Sequence, residues 1–174
     1  MTTLGHILAG STVGLLCMPR RKRFVYRLLF IIGMIAVANL PDWPIPGWGH
    51  YRYHASHSII VNGLAMVCLA LAVGGLGGRM IQKYPWVALG VTVAWLSHFL
   101  LDSLYVNTNL AMFWPVSAAG VSLPVPWLKT MPHVPPPFDG AIIRVFLLEA
   151  LTFGPPLVLA FMLRRKTRAA LKKI

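Results

Sequence analysis

The sequence predicts an all-α fold, a polytopic membrane helical bundle of about four to five embedded helices forming one domain over residues 1–174. Three observations predict it. Hydrophobic residues make up 57% of the chain and the mean hydropathy is +0.68. Only 11% of residues are charged, against about 25% in an average soluble domain. Five apolar runs recur, several near or beyond the roughly 17–25 residues that a helix needs to cross a bilayer.

The runs are read in order. Segment 4–18 is short for a span and reads as partly immersed or packed on its neighbours. Segment 24–40 is apolar until Pro41, which should stop it. Segment 58–78 ends in GGLGG, a loosened helix end. Segment 85–106 contains WLSHFLLDSLY. Segment 141–163 contains Pro155–Pro156, which should kink it or end its first half. Connection 107–140, rich in Pro, Trp and Ser, shows no clear element and reads as functional or lid-like. Cys17 and Cys68 lie inside apolar runs without CxxC spacing, as small buried hydrophobes do. The first residues, MTTLGHILAG, have no basic stretch before the apolar one. A retained segment is expected, not a cleaved signal.

A net charge of +12 raises the question of nucleic acid. Its distribution answers against it. The basic residues concentrate in RRKR at 20–23 and in the tail RRKTRAALKKI, both flanking apolar segments as juxtamembrane anchors do. No nucleic-acid-binding motif accompanies them. If segment 4–18 runs from outside to inside, thirteen of the sixteen basic residues face the cytoplasm. Only Arg52, Lys129 and Arg144 fall outside. The positive-inside rule then places the N-terminus outside and the C-terminus in the cytoplasm.

That topology gathers the chemistry on one side. The acidic residues Asp42, Asp102, Asp139 and Glu149, and the histidines His6, His50, His54, His57, His98 and His133, fall on the outer side or in the outer half of a span. His98 lies roughly 12 Å below the outer end of its span, at about 1.5 Å per residue. Ionisable groups inside a membrane are costly and usually mark function.

His98 and Asp102, at i and i+4, share a helix face. They are either metal ligands or an Asp–His hydrogen bond that joins helices. Asp42 sits between prolines in LPDWP, a rigid position suiting a ligand or a turn residue. His54 and His57 precede the third span at i and i+3, and His50 is either interfacial or a ligand. Ser56 and Ser58 suit helix caps. His6, Asp42, His54, His57, His98 and Asp102 together supply nitrogen and carboxylate donors for a divalent metal. Zinc is expected, with manganese an alternative, in one to three ions. Arg144 could bind a phosphate oxygen. Glu149, at a depth similar to His98, could act as ligand or general base; a structural charge pair is the other reading of both. His133 and Asp139 read as loop residues. No GxSxG, HExxH, P-loop or GxGxxG motif occurs, so a metal-activated water is the expected nucleophile.

GHILAG, LPDW, SHS, HFLLD and FWPVS occur in that order over residues 1 to about 118. In this the chain resembles the LexA-regulated, membrane-bound metal-dependent hydrolase family of bacterial inner-membrane proteins, grouped with zinc-dependent phospholipase C-like enzymes. The resemblance implies metal ligation by His6, Asp42, His57, His98 and Asp102. One departure concerns the stretch HRGxTHS of that family. Arg52 stands where its first His is expected, and His54 lies three residues before His57.

The expected function is therefore a hydrolase in the bacterial inner membrane, its site facing the periplasm or exterior. Asp102, Glu149 and Arg144 are the catalytic candidates. The expected substrate is a phosphoester of a lipid or lipid-linked molecule at the outer leaflet, and the bilayer is the expected partner. The rival expectations are a metal-binding protein or ion transporter without hydrolysis, and a small scaffold whose polar groups only join helices.

Overall fold

A computed structural model describes residues 3–19, 23–43, 46, 53–106, 108–123, 125–128 and 140–171. It contains helices α1 (Thr3–Cys17), α2 (Phe24–Asn39), α3 (Tyr53–Ser56), α4 (Ile59–Lys83), α5 (Pro85–Ser103) and α6 (Gly140–Leu171), with a 3-10 turn at Leu40–Asp42. Among the described residues there is no strand, only the isolated bridge Leu110–Val121. His50, Arg52, Lys129, His133 and Asp139 lie outside the described residues.

Three helical stretches are long and apolar enough to cross a membrane: Phe24–Asp42, Pro85–Ser103 and Ile142–Lys166. Leu4–Cys17 and Ile59–Leu69 are shorter apolar helices. The outward faces are apolar as well. Leu29, Leu64, Leu100, Leu151 and Val158 are all more than half exposed. Lipid tails, unlike water, exact no penalty for such a surface, so the chain is a helical membrane protein.

Close approach at small residues holds the bundle together. α1 packs against α2, α5 and α6. Gly10 and Gly14, four residues apart, share the face of α1 that meets α2. A Cβ at Gly10 would lie 2.7 Å from Ile35 Cα and 2.8 Å from the Met34 carbonyl oxygen. In lipid, helices associate through such packing because apolar side chains gain little by leaving the tails. Gly90 serves the same purpose where α5 meets Cys17 of α1. Val13, Met34, Ala38 and Ala94 form one buried cluster; Trp95, Phe99, Leu110 and Met112 form the other. At the far end, the Arg164 guanidinium of α6 donates to the carbonyls of Leu15 (2.6 Å) and Met18 (2.8 Å), serving the C-terminal end of α1.

The helices run further than their breakers suggest. α4 continues through GGLGG to Lys83, and α6 continues through Pro155 and Pro156. Glycine costs about 1 kcal/mol in a helix interior. In lipid, however, an unwound backbone would leave several polar groups unserved, and the helix is the lesser cost. Pro41 does end α2, which stops at Asn39, and enters the first turn of the 3-10 segment that follows, where its missing N–H is not needed. Cys17 is half-buried and Cys68 is exposed on α4, so neither is a fully buried hydrophobe.

The connection after α5 is also more ordered than its composition suggests. Val106 N–H donates to the Leu128 carbonyl (3.0 Å), Leu123 N–H to Ser103 (2.7 Å) and Val125 N–H to Leu104 (2.8 Å). Residues 104–106, 108–123 and 125–128 thus fold back onto the end of α5, with Leu110, Ala111, Met112 and Leu128 buried.

Because backbone atoms of α2 meet Gly10, Gly10→Val should destabilise the protein by about 1–3 kcal/mol through overpacking. Gly33 has nothing within 4 Å of a built Cβ, so Gly33→Val should behave nearly as wild type. Thermal unfolding of both variants in detergent, followed by circular dichroism, makes the comparison.

Candidate metal centre

Four elements bring donors to one end of the bundle. α5 carries His98 and Asp102 on one face; the 3-10 turn after α2 carries Asp42; the break between α3 and α4 carries His57; and α1 carries His6 near its start. His6, His57, His98 and Asp102 have side chains no more than 3% exposed, while that of Asp42 is 24% exposed. The centre therefore has one partly open side, at Asp42.

Four atoms form its heart. His57 Nε2 lies 3.2 Å from Asp42 Oδ1, 3.3 Å from Asp102 Oδ2 and 3.3 Å from His98 Nε2. His98 Nε2 lies 3.5 Å from Asp102 Oδ2 and 3.8 Å from Asp42 Oδ1. One donor atom from each of the four residues falls within a 4.8 Å group that could hold a metal ion. Donors at zinc distances of about 2.0–2.1 Å in a tetrahedron are separated by about 3.3–3.4 Å. Those five separations straddle that edge. Octahedral magnesium, at about 2.0–2.1 Å, needs neighbouring donors at only about 3 Å. The set suits a tetrahedral N/O ion.

Protonation supports the same fit. His98 Nδ1 lies 2.8 Å from the Ala38 carbonyl, which only accepts, so Nδ1 carries the proton. A neutral His98 then presents a bare lone pair at Nε2 toward two carboxylate oxygens, an arrangement that a cation relieves. The Ala38 carbonyl belongs to the last turn of α2, whose acceptors a helix end leaves available. Burial acts to depress the His57 imidazolium, but hydrogen bonds and charges from Asp102 and Asp42 outweigh it and push its pKa up to about 9. The two carboxylates draw positive charge to this point.

His6 adds a fifth donor. Its ring stacks on His98 with centroids 4.0 Å apart, and its Nε2 lies 3.2 Å from Asp102 Oδ1. Neither ring nitrogen of His6, nor Asp102 Oδ1, has a hydrogen-bond partner among the described residues. Asp102 thus faces two ways, Oδ2 toward His57 and His98 and Oδ1 toward His6.

The remaining sequence candidates lie apart. His54 is exposed in the last turn of α3 and outside the four-residue group, and Arg144 is exposed on α6. Glu149 is fully buried, accepting from Tyr105 Oη at 2.5 Å and from Gly5 N–H at 3.1 Å. It serves one of the N–H groups that the start of α1 leaves unpaired, beside His6.

The supports of His57 were not singled out from the sequence. Ser56 Oγ lies 2.8 Å from His57 Nδ1. Asn62 Nδ2 donates to the carbonyls of Ser56 and Ser58, both at 2.8 Å, bracketing His57. Trp95 Nε1 donates to Asn62 Oδ1 at 2.8 Å and fixes the amide. An Asn in the apolar run IIVNGLAMV was the available signal, since buried polar groups in a span need partners. Of the two serines expected as caps, Ser58 accepts from Val61 N–H at 3.2 Å and caps α4, whereas Ser56 serves the imidazole.

Fold and site together define a helical membrane protein with a buried His/Asp centre able to hold a metal ion. The profile of the YdjM inner membrane protein family matches residues 1–167, and the chain belongs to that family. No curated protein and no solved structure matches it.

Outer supports of metal ligands typically carry about 10–100-fold in affinity. Asn62→Ala should weaken zinc binding by about that factor. Competition with a chromophoric chelator would measure it; unchanged affinity would remove Asn62 from the support of His57.

Proposed function

We propose that this protein is a metal-dependent hydrolase of the bacterial inner membrane, acting on a phosphoester of a lipid or lipid-linked substrate. The observation that carries the reading is the four-donor cage, with the His98 lone pair turned toward two carboxylates. A divalent ion, zinc by the donor set, would polarise a phosphoryl oxygen and activate water there.

The chain's own groups complete the proposal. Asp42, His57, His98 and Asp102, the last through Oδ2, would hold the ion. His6 and Asp102 Oδ1, which have no hydrogen-bond partner among the described residues, would take the proton of the attacking water. Glu149 acts as a positioning residue, holding the start of α1 through Gly5. Arg144, exposed on α6, meets the anionic phosphate. Substrate reaches the cage on the Asp42 side, the partly exposed one. The basic residues gather at the opposite end of the bundle, around Arg23, Arg27 and 164–168, so the positive-inside rule turns the site toward the periplasm.

A second reading, metal binding or ion transport without hydrolysis, draws on the same buried donors. Against transport stands their clustering at one end of the bundle, with the buried apolar cluster Val13, Met34, Ala38 and Ala94 packed next to them.

Protein purified without chelator should contain about one or more equivalents of zinc or manganese and release product from phospholipid in mixed micelles. His98→Ala should lose both metal and product while inserting normally in the membrane. Metal without product from a panel of phosphoesters favours the second reading. Full hydrolysis by metal-free His98→Ala would sink the proposal.

A further inference from the structure

Residues 103–128 contain no Asp, Glu, Lys, Arg or His, although they form the end of the bundle that carries the polar centre. A connection facing water normally carries charge. This one is built as a two-sided apolar layer. Leu110, Ala111, Met112 and Leu128 are at most 7% exposed, and Leu110 and Met112 pack with Trp95 and Phe99. Phe113, Val116, Leu123 and Trp127 turn outward, between 50% and 82% exposed, and Trp114 is 36% exposed.

The outward residues are not adrift. Ile59 N–H donates to the Met112 carbonyl at 2.9 Å, and Ser58 Oγ donates to the Trp114 carbonyl at 2.5 Å. These bonds fix the turn 113–116 on the first residues of α4. There Ile59, Ile60 and Leu64 are 36%, 40% and 65% exposed. The exposed apolar turn is thereby tied to the start of the apolar helix Ile59–Leu69, which also carries exposed apolar side chains. Burying such a turn in water's absence gains about 25 cal/mol per Å², and tryptophans flanking it suit the headgroup level.

We propose that the turn Phe113–Val116 enters the bilayer at the site-bearing end of the bundle, lying beside α4. Trp114 and Trp127 rest at the headgroup boundary. The occupant of this surface is phospholipid. The insertion stands on the exposed turn and the missing charge, independently of any metal. Its bearing on the site rests on the proposed hydrolase: through Ser58 the turn is tied one residue from His57, so the cage opens beside headgroups and not into bulk water.

The test uses the full chain with Cys17→Ala and Cys68→Ala, a nitroxide on Val116→Cys, and vesicles of phosphatidylcholine and phosphatidylglycerol. Collisions with oxygen should exceed those with a neutral nickel complex severalfold. Excess access to the nickel complex would place the turn in water, and protection from both reagents would place it under protein; either overturns the proposal. If the cysteine variant fails to fold, quenching of tryptophan fluorescence by brominated lipids provides the second measurement. Trp114→Phe should remove part of that quenching; an unchanged quenched share overturns the insertion. None of these readouts responds to loss of metal or hydrolysis, so the two proposals fail separately.

Discussion

The Asp102 carboxylate, 2% exposed inside an apolar bundle, is the constraint from which the rest follows. A bare carboxylate at such a position is costly, and it persists only where positive charge or donors surround it. Three imidazoles surround it, His6 at Oδ1 and His57 and His98 at Oδ2, and of these His57 brings the positive charge. They come from the start of α1, the break before α4 and the body of α5. Each of those elements must therefore end or bend at one level. The glycine contacts between α1 and α2, the Ala38 carbonyl under His98 and the Asn62 brace around His57 all serve that convergence.

Three imidazoles around one carboxylate do not by themselves make a stable apolar interior. Asp42 adds a second carboxylate within 4 Å of two of them, which turns a compensated acid into an anionic bowl. His98 has committed its proton to Ala38, which leaves His57, with its raised pKa, as the positive group between the two carboxylates. The same four side chains could hold a metal ion.

Much of this was legible in the sequence, and for a physical reason. Lipid forces helices, so five apolar runs already implied an all-α bundle. An antiparallel path through the membrane then fixes the depth of each polar residue by counting from its span end. Counting put all four acidic residues and all six histidines on the outer side or in the outer half of a span, with His98 and Glu149 at similar depth. The family resemblance narrowed them to His6, Asp42, His57, His98 and Asp102. What counting misses is azimuth and backbone detail. Glu149 shares the level, yet meets Gly5 and Tyr105. His54 is close to His57 in sequence but exposed, because the four-residue α3 ends between them. Gly misled at GGLGG for a different cause: its cost in a helix is outweighed where unwinding would strand backbone groups in lipid, and at Pro155–Pro156 the same cost of unwinding keeps α6 from ending. The fold of residues 108–123 and 125–128 was opaque because its pairing runs through backbone atoms, which leave no pattern in side-chain types.

The shortness of α1 reaches beyond packing. Fifteen residues make a rod of about 22 Å, against a hydrocarbon layer of about 30 Å. Arg164 caps one end of that rod, and α1 is held between α2, α5 and α6, so its neighbours and not its own length carry the crossing. A helix freed from spanning can end inside the bundle, and it is there that α1 delivers His6 to Asp102.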